Sequence, residues 1–214
     1  MNVLDSKKEL RKVAVIGFCL VVAVFSGCKD NNGSGNSNGS SSGNTGIPGK
    51  PLTRVIKAAE LLSKADAQTI LGQSIISEKE EDKIYRNVIW YESKDFTIDL
   101  ELYQKALYGE EDEEGDYARW LRDMERAISG YQGLIKIDGI ERVAYRQKGM
   151  GLNQWLMYVF YGDYYINICI GSNPESLSDI GYTDTEEETA WKQAKLTQTA
   201  KLAVEHLKEI LKKG

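Results

Sequence analysis

The stretch that decides the fold is Asn153–Ile170, NQWLMYVFYGDYYINICI. Trp155, Met157, Val159 and Tyr161 alternate with Leu156, Tyr158 and Phe160, and aromatic and β-branched residues resume after Gly162-Asp163. Two such runs separated by two turn residues predict a β-hairpin, with strands over Asn153–Tyr161 and Tyr164–Ile170. If Tyr161 faces Tyr164, then Val159 opposes Ile166, Met157 opposes Ile168 and Trp155 opposes Ile170 on one face, a natural core. The other face pairs Phe160 with Tyr165, Tyr158 with Asn167 and Leu156 with Cys169. Both faces are apolar. Either a second layer covers that other face, or it is partly open and takes up a partner or ligand. Tyr158, Phe160, Tyr165 and Asn167 are therefore the candidate binding residues.

Working outward, Glu141–Gln147 reads as a further strand, giving a three-stranded meander. Before it, Tyr117, Trp120, Leu121, Met124 and Ile128 fall on one helical face between a capping Asp116 and a terminating Gly130. Upstream lie two more strands, Ile84–Glu92 and Phe96–Tyr103. The second carries Phe96, Ile98, Leu100 and Leu102 on one side and Thr97, Asp99 and Glu101 on a face expected to be wet. In AAELLSKADAQTILG, residues 58–72, Ser63 caps a short helix with Asp66 in its first turn and Gly72 closes it. Thr185–Lys213 is a long helix, opened by Asp184 or Thr185, with Glu186, Glu187 and Glu188 at its positive end and Lys212 and Lys213 at its negative end. Leu196, Ala200, Ala203, Val204, Leu207 and Leu211 form its buried stripe. Strands without βαβ alternation predict an α+β fold over residues 51–214. It is an antiparallel meander sheet with a short N-terminal helix, a middle amphipathic helix and a long C-terminal helix packed on it.

The chain begins with Lys7, Lys8, Arg11 and Lys12 against Asp5 and Glu9, followed by an uncharged apolar run from Val13 to Gly27. That is the layout of an export signal, and at about 1.5 Å per residue the run covers roughly 24 Å, short of a ~30 Å hydrocarbon core. It ends in Phe25-Ser26-Gly27-Cys28, two small residues before a cysteine. This resembles the lipobox of bacterial lipoproteins, and the resemblance implies cleavage after residue 27, a diacylglyceryl group on Cys28 and fatty acyl chains such as palmitate in a bilayer. Residues 28–50 follow as the lipidated cysteine and a Gly/Ser/Asn-rich tether. It has almost nothing to bury, and as a flexible coil it spans roughly 26 Å. With leader and lipid accounted for, Cys169 is the one remaining thiol, set in an apolar run as a small core residue.

Loss of four basic and two acidic residues with the leader turns the formal charge of −5 into −7. An acidic protein is repelled by phosphate backbones, so nucleic acid is not an expected partner and the lipid must do the anchoring. The segments AAELLSKADAQTILG and IDGIERVAYRQKG, residues 137–149, resemble a family of small, functionally unassigned bacterial lipoproteins, which share a short helix ending in Leu-Gly, a meander and a C-terminal helix. The resemblance covers most of residues 55–210 and implies fold and extracytoplasmic location on the cell or outer membrane, with no activity.

His206 is the single histidine, at the edge of the last helix's apolar stripe, and neither a Gly-x-Ser-x-Gly elbow nor a Cys/His pair accompanies it. It is expected on the solvent side of that helix, with no catalytic role. Zinc needs clustered Cys and His, which are lacking, and Glu110–Glu114 does not have the alternation or glycine of a calcium loop. No metal, cofactor or catalytic residue is expected. The sequence points to a non-enzymatic binding or accessory module for an envelope protein or small ligand. An envelope hydrolase using carboxylates and a structural assembly factor are the alternatives.

Overall fold

The hairpin forms in the expected register. β6 (Trp155–Tyr161) and β7 (Tyr164–Ser172) pair with Tyr161 opposite Tyr164, Val159 opposite Ile166, Met157 opposite Ile168 and Trp155 opposite Ile170. Of the two loop residues, only Gly162 takes a positive φ, 57°, the conformation that lets so short a turn close. The structure is a computed structural model that describes residues 54–83, 86–107, 116–131, 133–140, 143–149, 153–175 and 183–213. The leader, Cys28, the tether, Glu110–Glu114, Ile84 and Glu141 lie outside the described residues.

Among the described residues seven strands make one antiparallel sheet in the order β1-β2-β3-β7-β6-β5-β4. The others are β1 (Ser77–Lys83), β2 (Arg86–Glu92), β3 (Phe96–Gln104), β4 (Ile135–Lys136) and β5 (Val143–Lys148). Two meanders, β1 to β3 and β4 to β7, join where β3 meets β7. There Ile98 faces Ile170, Leu100 faces Ile168 and Leu102 faces Ile166. These pairs continue the hairpin's apolar rows, and the rows set the register, since a slip of one residue would turn every side chain to the other face. β1 is a seven-residue edge strand, SEKEEDK, with no apolar residue. Its charges deter pairing with another chain.

Among the described residues the inner face of the sheet carries three α-helices: α1 (Ala58–Leu61), α2 (Lys64–Leu71) and the long α4 (Glu186–Lys213). Ser63 accepts from the Asp66 N–H at 3.2 Å while the Ser63 N–H donates to Asp66 at 3.0 Å, so α2 starts afresh after the extended Leu62. Gly72 closes it at φ 68°. Thr185 caps α4, accepting from the Glu188 N–H at 3.2 Å and donating its own N–H to the Glu188 carboxylate at 2.8 Å. All six stripe residues, from Leu196 to Leu211, are buried against the sheet. Each fully buried leucine adds about 1.5–3 kcal/mol.

Asp184 has a different task. The Lys192 ammonium, fully buried, donates to Asp184 Oδ1 at 2.6 Å, Ser172 Oγ at 2.7 Å and the Asn153 carbonyl at 2.9 Å. One cation thus ties the start of α4 to the end of β7 and to Asn153, two residues before β6. His206 also departs from expectation. It is half-buried, and its Nδ1 lies 3.1 Å from the Leu61 carbonyl at the end of α1. A carbonyl only accepts, so Nδ1 carries the proton and satisfies one of the carbonyls a short helix leaves unpaired. The edge of α4 that carries His206 meets the end of α1.

Replacing Lys192 by Met leaves the buried Asp184 charge without its partner and is expected to cost about 3–5 kcal/mol in urea unfolding. Joint replacement, Lys192→Met with Asp184→Leu, is expected to recover most of that loss.

Candidate functional site

The outer face of the sheet carries the candidate residues. α3 (Asp116–Ser129) lies across it, and Tyr117 and Leu121 pack with Phe160 and Tyr165 in a second core. Trp120, Met124 and Ile128 complete the helix's side, and Tyr103, Tyr145 and Tyr158 the sheet's. Rings interlock throughout. Tyr165 lies 4.9 Å from Phe160 and 5.0 Å from Tyr103, while Trp120 lies 5.4 Å from Tyr103 and 6.2 Å from Tyr165. Tyr117 also hydrogen-bonds the Asp163 carbonyl at 2.8 Å, which fixes the first turn of α3 over the hairpin turn.

Of the four candidates, Phe160 and Tyr165 are buried under α3, and Tyr158 and Asn167 are half-buried beside it. The Gln147 amide donates to the Tyr158 hydroxyl. Asn167 sits opposite Glu101 on β3 and donates to its Oε2 at 3.4 Å. The four residues share one face, but it is a covered face: Phe160 and Tyr165 are its floor, and Tyr158 and Asn167 its accessible margin.

Asn167 leads to residues that sequence reasoning placed wrongly. The second face of β3 is not wet, because Asp99 is 7% exposed and Glu101 2%. β3 is a central strand, flanked by β2 and β7, so side chains in the middle of either face are enclosed by neighbours. Glu101 is held by Arg86 Nε at 3.5 Å and by the Tyr103 hydroxyl at 3.1 Å, and that hydroxyl accepts from Arg86 Nη1 at 2.7 Å. Asp99 has no comparable cation. Burial first, and the nearby Glu101 charge second, push its carboxyl up to about 8, against a pull downward from a hydrogen bond with Cys169 and from Lys83 and Arg86. At neutral pH it is therefore a neutral acid beside a carboxylate bound to arginine. Its Oδ2 is buried without a hydrogen-bond partner. Cys169, read as a small core residue, is buried and faces Asp99 across the β3–β7 pair.

Two carboxyls two residues apart in contrasting surroundings are the one acid–base arrangement among the described residues. Among them, no group of three His, Cys, Asp or Glu side chains can hold a metal ion. Comparison with known proteins adds nothing to this geometry: no family model, no curated protein and no solved structure matches the chain.

A raised folded-state pKa means that Asp99 adds stability in full below its ordinary value near 4 and loses that contribution as pH rises through about 8. Thermal unfolding is expected to show the protein less stable at pH 9 than at pH 5. Asp99→Asn should flatten that decline and be the more stable form above pH 8. Parallel pH profiles for the two proteins would refute the assignment.

Proposed function

We propose that the chain is a lipid-anchored protein of the bacterial envelope whose α+β domain is a non-enzymatic binding module held outside the cytoplasm. The observation that carries this reading is Phe25-Ser26-Gly27-Cys28 at the end of an apolar run and before a Gly/Ser/Asn-rich stretch with almost nothing to bury. The domain is compatible with it. Its thiol is buried, so Cys28 is the cysteine open to acylation in the mature chain. No helix of the described residues is long and apolar enough to cross a membrane. Two or more acyl chains hold a protein at a bilayer stably where one does so only marginally. On the domain, the margin of α3 with Tyr158 and Asn167 is the surface assigned to the partner, because it joins half-buried aromatic area to hydrogen-bonding groups.

One observation favours a second reading, an envelope hydrolase: the neutral Asp99 beside Glu101 resembles an acid and a carboxylate whose surroundings divide their roles. The readings separate by substitution. For a binding module, Tyr158→Ala abolishes co-purification of the partner from detergent-solubilised envelope and Asp99→Asn does not. For a hydrolase, Asp99→Asn abolishes turnover and leaves co-purification unchanged.

The anchor itself has a direct test. Mass spectrometry of the native protein is expected to find the chain starting at a diacylglyceryl-modified, acylated Cys28. Cys28→Ser should retain the leader and lose incorporation of labelled palmitate. A native protein with an intact leader and an unmodified Cys28 thiol would overturn the proposal.

A further inference from the structure

The inner face of the sheet ends, at β5 and β6, in a group of hydrogen-bond donors that have no acceptor among the described residues. Lys148 stands directly opposite Trp155, and Arg146 opposite Met157. Residues two apart on a strand share a face, so Arg146, Lys148 and Trp155 all belong to the face on which Met157 is buried. Arg146 and Trp155 are diagonal neighbours, a spacing that long and aromatic side chains bridge.

Trp155 is 8% exposed, yet its indole Nε1–H is buried with no hydrogen-bond partner. The Nε–H of Arg146 is buried and equally without a partner. Four cations elsewhere have carboxylate partners: Arg54 has Glu60, Lys57 has Asp82, Arg86 has Glu101 and Lys192 has Asp184. Among the described residues no carboxylate lies within ion-pair reach of Arg146, and burial alone acts on its guanidinium, pulling its pKa down. Buried N–H groups are almost always satisfied, and a buried charge almost always has a counter-charge. Here, among the described residues, two neighbouring N–H donors have no acceptor and the half-buried Arg146 has no counter-charge.

We infer that this end of the inner face is a binding site for a phosphate-class oxyanion, held by the Arg146 guanidinium and the Trp155 indole N–H, with Lys148 at its mouth. An indole only donates, and a guanidinium presents its donors as a flat fork suited to two oxygens. Three donor groups on separate side chains match the several oxygens of a tetrahedral phosphate better than the two of a carboxylate. Arg146 is half-buried and Lys148 exposed, so the cationic side of the site reaches solvent while the indole N–H lies beneath it. It lies on the opposite face of the sheet from Tyr158 and Asn167 and does not depend on the reading of that surface.

Phosphate reaches an envelope protein either free or as a lipid headgroup, and the test distinguishes them. In the mature full-length protein, the Trp155 indole N–H resonance is followed while inorganic phosphate is added, with sodium chloride at matched ionic strength as control. The same resonance is followed with phosphatidylcholine vesicles that contain or lack phosphatidylglycerol. A saturable shift with inorganic phosphate assigns the site to the free anion. A shift only with phosphatidylglycerol vesicles assigns it to a headgroup. Arg146→Gln, with its fold checked by circular dichroism, is expected to weaken binding at least tenfold, and Lys148→Gln less. Trp155→Phe, which removes the donor and keeps a ring, is expected to weaken phosphate binding measured by calorimetry. No saturable shift with either probe, or binding unchanged in Arg146→Gln and Trp155→Phe, would overturn the inference.

Discussion

Everything in this fold follows from the two-sided burial of the strands at its centre. β7 carries Ile166, Ile168 and Ile170 on one face and Tyr165 and Cys169 on the other, and all five are buried. A sheet with such a strand at its middle cannot leave either face to water. The inner face takes the larger cover, α4 with α1 and α2. The outer face takes α3, whose five apolar positions meet the aromatic rows of β3, β6 and β7. Pairing of β3 with β7 joins the two meanders, so the central apolar rows run unbroken from one to the other.

The same constraint accounts for the polar groups inside. An acid at the centre of a doubly covered sheet must be neutralised, paired or protonated. Glu101 is paired with Arg86, whereas Asp99 holds its proton. At the end of the inner face the fully buried Lys192 is also paired, enclosed by a carboxylate, a hydroxyl and a carbonyl. Such a node contributes less through its net energy than through the single arrangement of α4, β7 and the approach to β6 that satisfies it.

Much of this architecture was legible in the residues. Hairpin register followed from period-two alternation around Gly162, and the limits of α2 and the start of α4 from Ser63, Gly72 and Thr185, because capping chemistry is local. β1 was not legible. SEKEEDK has no apolar period, and it is a strand only because β2 has an edge to be paired. Nor was the β3–β7 pairing, since sequence separation hides which meander meets which. Asp99 and Glu101 alternate as a wet face would, and their burial depends on β3 being central, a tertiary fact. His206 followed the same logic: its position at the edge of the stripe left open whether α1 or solvent lay beyond it. Of the candidate binding residues, the face they share was readable from the register, and the cover over Phe160 and Tyr165 was one of two alternatives that pairing alone does not decide.

α3 closes the outer face by stacking on the aromatic rows of the sheet. Nuclear Overhauser contacts between assigned ring protons test it most directly, because Trp120 lies 5.4 Å from Tyr103 and 6.2 Å from Tyr165 between ring centres. The account predicts cross-peaks linking all three rings, with Tyr165 shielded from a soluble paramagnetic probe. Absence of any Trp120 contact to the sheet, together with a Tyr165 ring open to the probe, would contradict it.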